Sequence, residues 1–303
     1  MGATAVRSRI RRSKPDLIFD IINYALLTIL LLIVLYPIFF VLIASFSDPN
    51  LSNSGQVWLY PKGFNYDAYK TLLGERKIWI GYRNTVFYAT LGTMISLCVT
   101  LPCAYSMSTK RFKIRNFLMV VFVIPMFFSG GLIPFYIVIM KLGMMNTIWS
   151  QLLPGAFAVY NMILARIFFI STIPGELEDA AFIDGCKNFG LFTRIVLPLS
   201  KPIIATIALF SVVGFWNSYF YSLIFLRDEN LFPLQLLLRD ILIINQNITG
   251  GLLTDPETQA MKMRTYELLK YTVVIAASLP LLVVYPFLQK YFVKGIMLGS
   301  LKG

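Results

Sequence analysis

The sequence predicts an all-α, polytopic membrane protein with six transmembrane helices, and three observations carry that prediction. Of its 303 residues, 57% are hydrophobic and 14% charged, whereas a soluble domain carries about 25% charged residues. The mean hydropathy of +0.70 leaves too little polar surface to face water. Runs of roughly 20 apolar residues recur, each long enough to cross about 30 Å of hydrocarbon. The net charge of +12 collects largely in short segments beside those runs. Lys and Arg there set topology and meet membrane lipid headgroups. That placement argues against nucleic acid as the partner.

The spans fall at about 18–46, 84–107, 116–140, 147–171, 201–226 and 270–292. The first follows a basic lead, "MGATAVRSRIRRSKPDLIFD". Its apolar stretch exceeds a signal-peptide core of about 7–15 residues and lacks a small-x-small exit, so it reads as retained. Val6 stands where a myristoylation start at Gly2 would want Ser or Thr. An arginine-rich N-terminus belongs in the cytoplasm, which puts "STKRFKIRN" (108–116), the segment 172–200 and the tail after Tyr291 on the same side. The outer side then receives 47–83, a tight turn near Gly143, and 227–269.

The third span contains "PMFFSGGLIP", with Pro125, Gly130, Gly131 and Pro134 inside it. Proline removes a helical donor and clashes with the preceding turn, so this span should bend or unwind. Pro154 in the fourth span and Pro280 and Pro286 in the sixth add further kinks. Broken backbone at membrane depth survives where protein or a water-filled cavity satisfies it. The clustering therefore favours a moving pathway. In the longest outer loop, "FPLQLLLRDILIINQN" places Leu234, Leu237, Leu238 and Ile241 at helical spacing, and "NITGGLLTDP" ends that helix.

The chain has no His, which removes His-based proton transfer and His-ligated metal sites. Cys98, Cys103 and Cys186 show neither metal-ligand spacing nor a disulfide framework. No Gly-Lys dipeptide occurs, so the phosphate-cradling Walker A loop is missing and ATP hydrolysis by this chain is not expected.

Between spans four and five lies "TIPGELEDAAFIDGCKNFGLFTRIVLPLS" (172–200). Pro174 suits a first helical turn, and Glu176, Glu178 and Asp179 favour its positive end. Ala180 and Ala181 allow close approach, and Gly185 can take the left-handed geometry that closes a helix. A second short helix is expected from about Asn188 to Val196, interrupted by Pro198. The product is a helix–turn–helix knob projecting into the cytoplasm.

The spacing Asp179-Ala180-Ala181, three residues, Gly185, nine residues, Ile195, one residue, Leu197-Pro198 resembles the cytoplasmic loop motif of binding-protein-dependent ABC importer permeases. The family usually begins the motif with Glu-Ala-Ala; Asp stands first here. "FWNSYFYSLIFL" (215–226) followed by "LFPLQLLL" resembles the fifth-span region of carbohydrate-class permeases, and "VKGIMLGSLKG" (293–303) their C-terminal tail. "SGGLIPFYIVIMKLGMMNTIWS" is most similar to permeases for oligosaccharides and polysaccharide fragments. The resemblance runs from about Ile80 to the C-terminus. It divides the chain into 1–79 (basic arm, first span, first outer loop), a transport domain 80–293 and a tail 294–303.

This resemblance implies a type I ABC importer permease fold in the cytoplasmic membrane of a prokaryote, with both termini cytoplasmic. It implies a second, distinct permease, two ATPase subunits that hold ATP and Mg, and an external solute-binding protein. This chain itself would bind no cofactor. Residues Glu178, Asp179, Ala180, Ala181, Gly185, Ile195, Leu197 and Pro198 would dock the ATPase and transmit its closure. Sugars are held by aromatic faces and by amide and hydroxyl hydrogen bonds. Tyr136, Tyr160, Asn161, Trp216, Asn217, Tyr219 and Tyr221 are therefore the candidate substrate contacts. Arg166, inside a span, should face protein or the interface, because a lipid-facing charge is costly.

Three other readings have less support. An ion-coupled transporter places ionisable groups near the midplane, whereas Asp20 and Arg166 lie near span ends. An intramembrane enzyme would need a carboxylate cluster or metal ligands at the membrane edge. A same-family permease for another solute, such as a peptide or phosphate, is opposed by the fifth-span and tail resemblances.

Overall fold

The computed structural model describes residues 13–247, 267, 269–283 and 285–286. The expected break after Asn247 and the tail 294–303 lie outside them. Every regular element among the described residues is helical. The chain forms two compact units, Met1–Tyr69 with Glu267–Ile275, and Lys70–Tyr266 with Ala276–Gly303.

In the first unit, α1 (Lys14–Ser45) starts on a capping box: Ser13 Oγ accepts the Asp16 N–H, and the Asp16 carboxylate accepts the Ser13 N–H at 3.1 Å. Pro37 sits inside the helix without ending it. Nearly every side chain before Ile43 is exposed and most are apolar, which suits a hydrocarbon surround. After α2 (Pro49–Asn53), the loop is fixed by Phe46, which stacks on Phe64 at 5.9 Å and on Tyr69 at 4.9 Å.

Next comes α3 (Asp67–Gly74), followed by α4 (Arg76–Ser108), the axis of the second unit. Its 33 residues span about 50 Å. Gly92, Ser96, Thr100 and Ala104 recur every four residues on one face, and the last three are at most 1% exposed. Small side chains let neighbouring helices approach closely.

The third predicted span is two helices, α5 (Arg115–Phe127) and α6 (Leu132–Lys141), meeting at 115° around Phe128–Gly131. The turn is much sharper than a proline kink. The fourth is likewise divided, into α7 (Trp149–Leu152) and α8 (Val159–Thr172), at Pro154-Gly155. The loop 172–200 contains α9 (Gly175–Ile183), α10 (Asn188–Leu191), a π-type turn Phe192–Val196 and α11 (Leu197–Leu199). The fifth span is α12 (Lys201–Trp216), broken at Asn217 before α13 (Phe220–Phe225). The amphipathic α14 (Leu234–Asn247) and the apolar α15 (Leu269–Val283) complete the order.

α1 and α4 are long and apolar enough to cross a membrane unaided, and the bent pair α5–α6 has the length and composition of a broken span or a re-entrant loop. α12 continues from the knob through an 83° bend.

α8 and α12 pack along α4, with Ser211 Oγ donating to Ser96 Oγ at 3.1 Å. The Phe215 ring lies between two glycines: a Cβ built on Gly92 would come within 2.5 Å of it, and one on Gly155 within 2.8 Å. At the N-terminal end of α4, Asn84 Nδ2 donates to the Asn230 and Phe232 carbonyls at 2.6 and 3.0 Å. Tyr88 donates to the Leu231 carbonyl at 2.9 Å, and Thr85 Oγ1 accepts the Leu234 N–H at 2.8 Å. All three side chains are buried, so their polar groups need partners, and the backbone of 230–234 supplies them. This clasp fixes the entry to α14, whose Leu234, Leu237 and Leu238 are buried as the spacing predicts.

Candidate coupling site

The knob is built around the end of α9. Gly185 lies at φ +78°, its N–H bonds the Phe182 carbonyl at 3.0 Å, and the Cys186 N–H reaches the Ala181 carbonyl at 2.9 Å. That pair of bonds closes a helix in the Schellman geometry, which a residue without Cβ adopts at least cost. Ala181, Leu191 and Val196 point inward and join Ala104 and Met107 of α4 and Ala165 and Phe169 of α8 in one apolar cluster. Ile195 and Leu197 pack against it, whereas Ala180 and Pro198 are exposed.

Pro198 does not interrupt the second helix, contrary to the expectation. The π-type turn before it widens the spiral, relieving the clash between a proline ring and the carbonyl four residues back, and the helix runs on to Leu199. Ile183 at 86% and Phe189 at 79% exposure are large apolar side chains left uncovered on either side of Gly185.

The acids of α9 are held by the C-terminal end of α4 and the loop that follows it. Arg111 Nη2 donates to Asp179 Oδ1 at 2.9 Å, and its guanidinium lies 3.9 Å from the Phe182 ring centroid. Tyr105 donates to Glu178 Oε1 at 3.2 Å, and its ring contacts Phe169 and Phe192. Arg166, half-buried on α8, donates from Nε to the Met107 carbonyl at 3.0 Å, so this arginine faces protein as expected. Arg115 caps the Ser108 carbonyl at 3.3 Å. A groove of about 730 Å³ remains between these elements, lined by Tyr105, Arg111, Glu178, Phe182, Phe189 and Phe192 among others.

The candidate substrate residues fall into separate places. Tyr136, Tyr219 and Tyr221 belong to one run of rings: Tyr219–Phe220–Tyr221, then Phe225, on which both Tyr221 (5.8 Å) and Tyr136 (6.1 Å) stack. The Arg239 guanidinium lies 5.9 Å from the Tyr219 centroid. Tyr160 is exposed beside Phe210, and its neighbour Asn161 is buried. Trp216 is buried, with its indole N–H donated to the Ala277 carbonyl at 3.0 Å, while Asn217 is exposed at the end of α12.

Residues 78–298, covering this site and its supporting helices, match the family described as the binding-protein-dependent transport system inner membrane component. The chain belongs to that family. Permeases of this family carry no ATPase activity, which lies in separate subunits. Protein LplC of Bacillus subtilis is 37% identical, the alignment covering 96% of this chain and 97% of the relative. The polygalacturonan/rhamnogalacturonan transport system permease protein YtcP of the same organism is 38% identical, covering 94% and 99%. Among solved structures, a chain of a bacterial ABC transporter involved in importing the acidic polysaccharide alginate superposes with a TM-score of 0.82 at 32% identity, covering 93% of this permease and 99% of that chain. The type I ABC importer permease fold follows from these matches.

Four residues of the permease's knob region were not singled out from sequence. Arg111 and Tyr105 lie 68 and 73 positions from their partners. Ile183 looks like an ordinary core position until the fold exposes it. A usable signal existed for Phe189 alone, an aromatic inside an otherwise polar turn.

Proposed function

We propose that this permease is one of two membrane subunits of an ATP-driven importer. It carries an oligosaccharide or polysaccharide fragment across the cytoplasmic membrane by alternating access. A distinct second permease, two ATPase subunits holding ATP and Mg, and an external solute-binding protein complete the complex. The carrying observation is the knob. The glycine-closed turn between α9 and α10 presents Ile183 and Phe189 outward, while Ala181 and Leu191 join the apolar cluster formed with α4 and α8. Exposed apolar residues flanked by charge mark a protein interface, and the groove of an ATPase subunit is the partner this motif serves. The substrate class rests on the relatives named above and on the ring run at Tyr136, Tyr219 and Tyr221. Aromatic faces that also carry hydroxyls suit a sugar path.

The orientation places 108–116 and 172–200 in the cytoplasm. The Arg111–Asp179 pair supports a common side for these two segments, and the short basic loop gives its sign.

Reconstitution of the permease with its partners in proteoliposomes tests the assignment. The solute-binding protein loaded with an oligosaccharide should stimulate ATP hydrolysis on the order of tenfold and drive uptake. Stimulation by a peptide or phosphate and by no carbohydrate would move this permease to another solute.

A further inference from the structure

The acid that opens the loop motif is already engaged within the chain. Three contacts of different kinds converge on one turn and a half of α9: the Tyr105 hydroxyl on Glu178, the Arg111 guanidinium on Asp179, and the same guanidinium over the Phe182 ring. Phe182 stands four residues after Glu178 and three after Asp179, so each acid neighbours it on the helix surface. Their two partners bracket Ser108, the last residue of α4. Ala181 is buried in the same apolar cluster as Ala104 and Met107 of α4, so the acids and the buried alanine lie on two sides of α9 that both turn toward the chain.

The last turn of α4 is itself fixed, its Met107 and Ser108 carbonyls accepting from Arg166 and Arg115. From there α4 continues unbroken to the clasp of Asn84, Thr85 and Tyr88 on the backbone of 230–234.

We propose that Arg111 is a positioning residue for energy coupling: it latches α9 to the loop that leaves α4, beside the Tyr105 contact from the last turn of α4, so that displacement of the knob moves α4 and the clasp on 230–234 as one body. The inference rests on the coupling role proposed above for the loop. The pair is more than half exposed, with side-chain accessibilities of 55% and 70%. Such a pair adds little to folding, so its use is geometric. A guanidinium can accept a ring on its face while its edge donates to a carboxylate; an ammonium cannot do both in one fixed geometry. Asp179 is thereby a brace inside the permease, and the contact with the ATPase is left to Ile183 and Phe189.

The test uses the full complex in nanodiscs and proteoliposomes, with R111E, R111Q, R111K and the swap R111E/D179R. Amide hydrogen exchange over 175–183 should rise roughly fivefold in R111E, the scale of one lost exposed pair, and return towards wild type in the swap. Solute uptake per ATP hydrolysed should fall roughly fivefold and recover in the swap, with R111K intermediate. If R111E does not assemble, R111Q gives the same two readings. Unchanged exchange in R111E or R111Q overturns the latch. So does a swap as impaired as R111E, which would assign Asp179 to the ATPase. The exchange reading needs no transported solute, so it decides the latch even if no carbohydrate drives uptake.

Discussion

Replacing Gly185 with valine should uncouple the importer while leaving the permease inserted in the membrane. Gly185 lies at φ +78°, and a Cβ built there meets no atom within 4 Å. The penalty is therefore purely conformational. A left-handed residue with a Cβ costs roughly 1–2 kcal/mol, and a β-branched one more. The chain escapes that cost by opening the two bonds that close α9, which shifts Ile183 relative to Phe189 across the turn. Solute-stimulated ATP hydrolysis in the reconstituted complex should drop on the order of tenfold. Asparagine tolerates the left-handed region far better, so Gly185→Asn should retain most of the stimulation. Equal stimulation in wild type and the valine variant would show that the turn's shape does not matter to coupling.

A second large effect is expected from Gly92→Leu. Three atoms of the Phe215 ring lie within 2.7 Å of a Cβ built at Gly92, and Gly155 blocks the ring's retreat on the other side. Overpacking of this kind costs typically about 1–3 kcal/mol. Here the displaced ring precedes Trp216, whose indole anchors the end of α12 to Ala277. The melting temperature of the purified permease should fall, and transport should fall with it. Phe215→Ala in the same chain frees the space, so the double variant should be more stable than Gly92→Leu alone. A strictly additive pair of losses would mean the ring is not trapped between the glycines.

Much of this architecture was legible because its signals are local. Helical spacing of leucines gave α14, apolar runs gave α1 and α4, and the fixed gaps between Asp179, Gly185 and Leu197-Pro198 marked the knob. Pro and Gly inside the third span announced a break. They could not give its 115° angle, which depends on what α5 and α6 each pack against. Expectation failed at Pro198 because a proline is read as a helix stop, and sequence carries no sign that a π-type turn will absorb it. The latch and the clasp were invisible for another reason. Tyr105 and Arg111 meet α9, and Asn84, Thr85 and Tyr88 meet 230–234, across separations set by helix packing. The ring run was half visible: Tyr136, Tyr219 and Tyr221 were chosen for chemistry, and the fold joins them through Phe220 and Phe225, leaving Tyr160 elsewhere.

The central claim is that this permease is driven mechanically through the 174–190 knob by a separate ATPase. It is met most directly by site-directed crosslinking in the assembled complex, with a single cysteine at Phe189 and the native cysteines replaced. The account predicts that this cysteine is trapped against an ATPase subunit and that the crosslinked complex stops transporting. A fully active complex whose Phe189 position never crosslinks to the ATPase would contradict it, as would liposomes holding this chain alone that accumulate solute against its gradient.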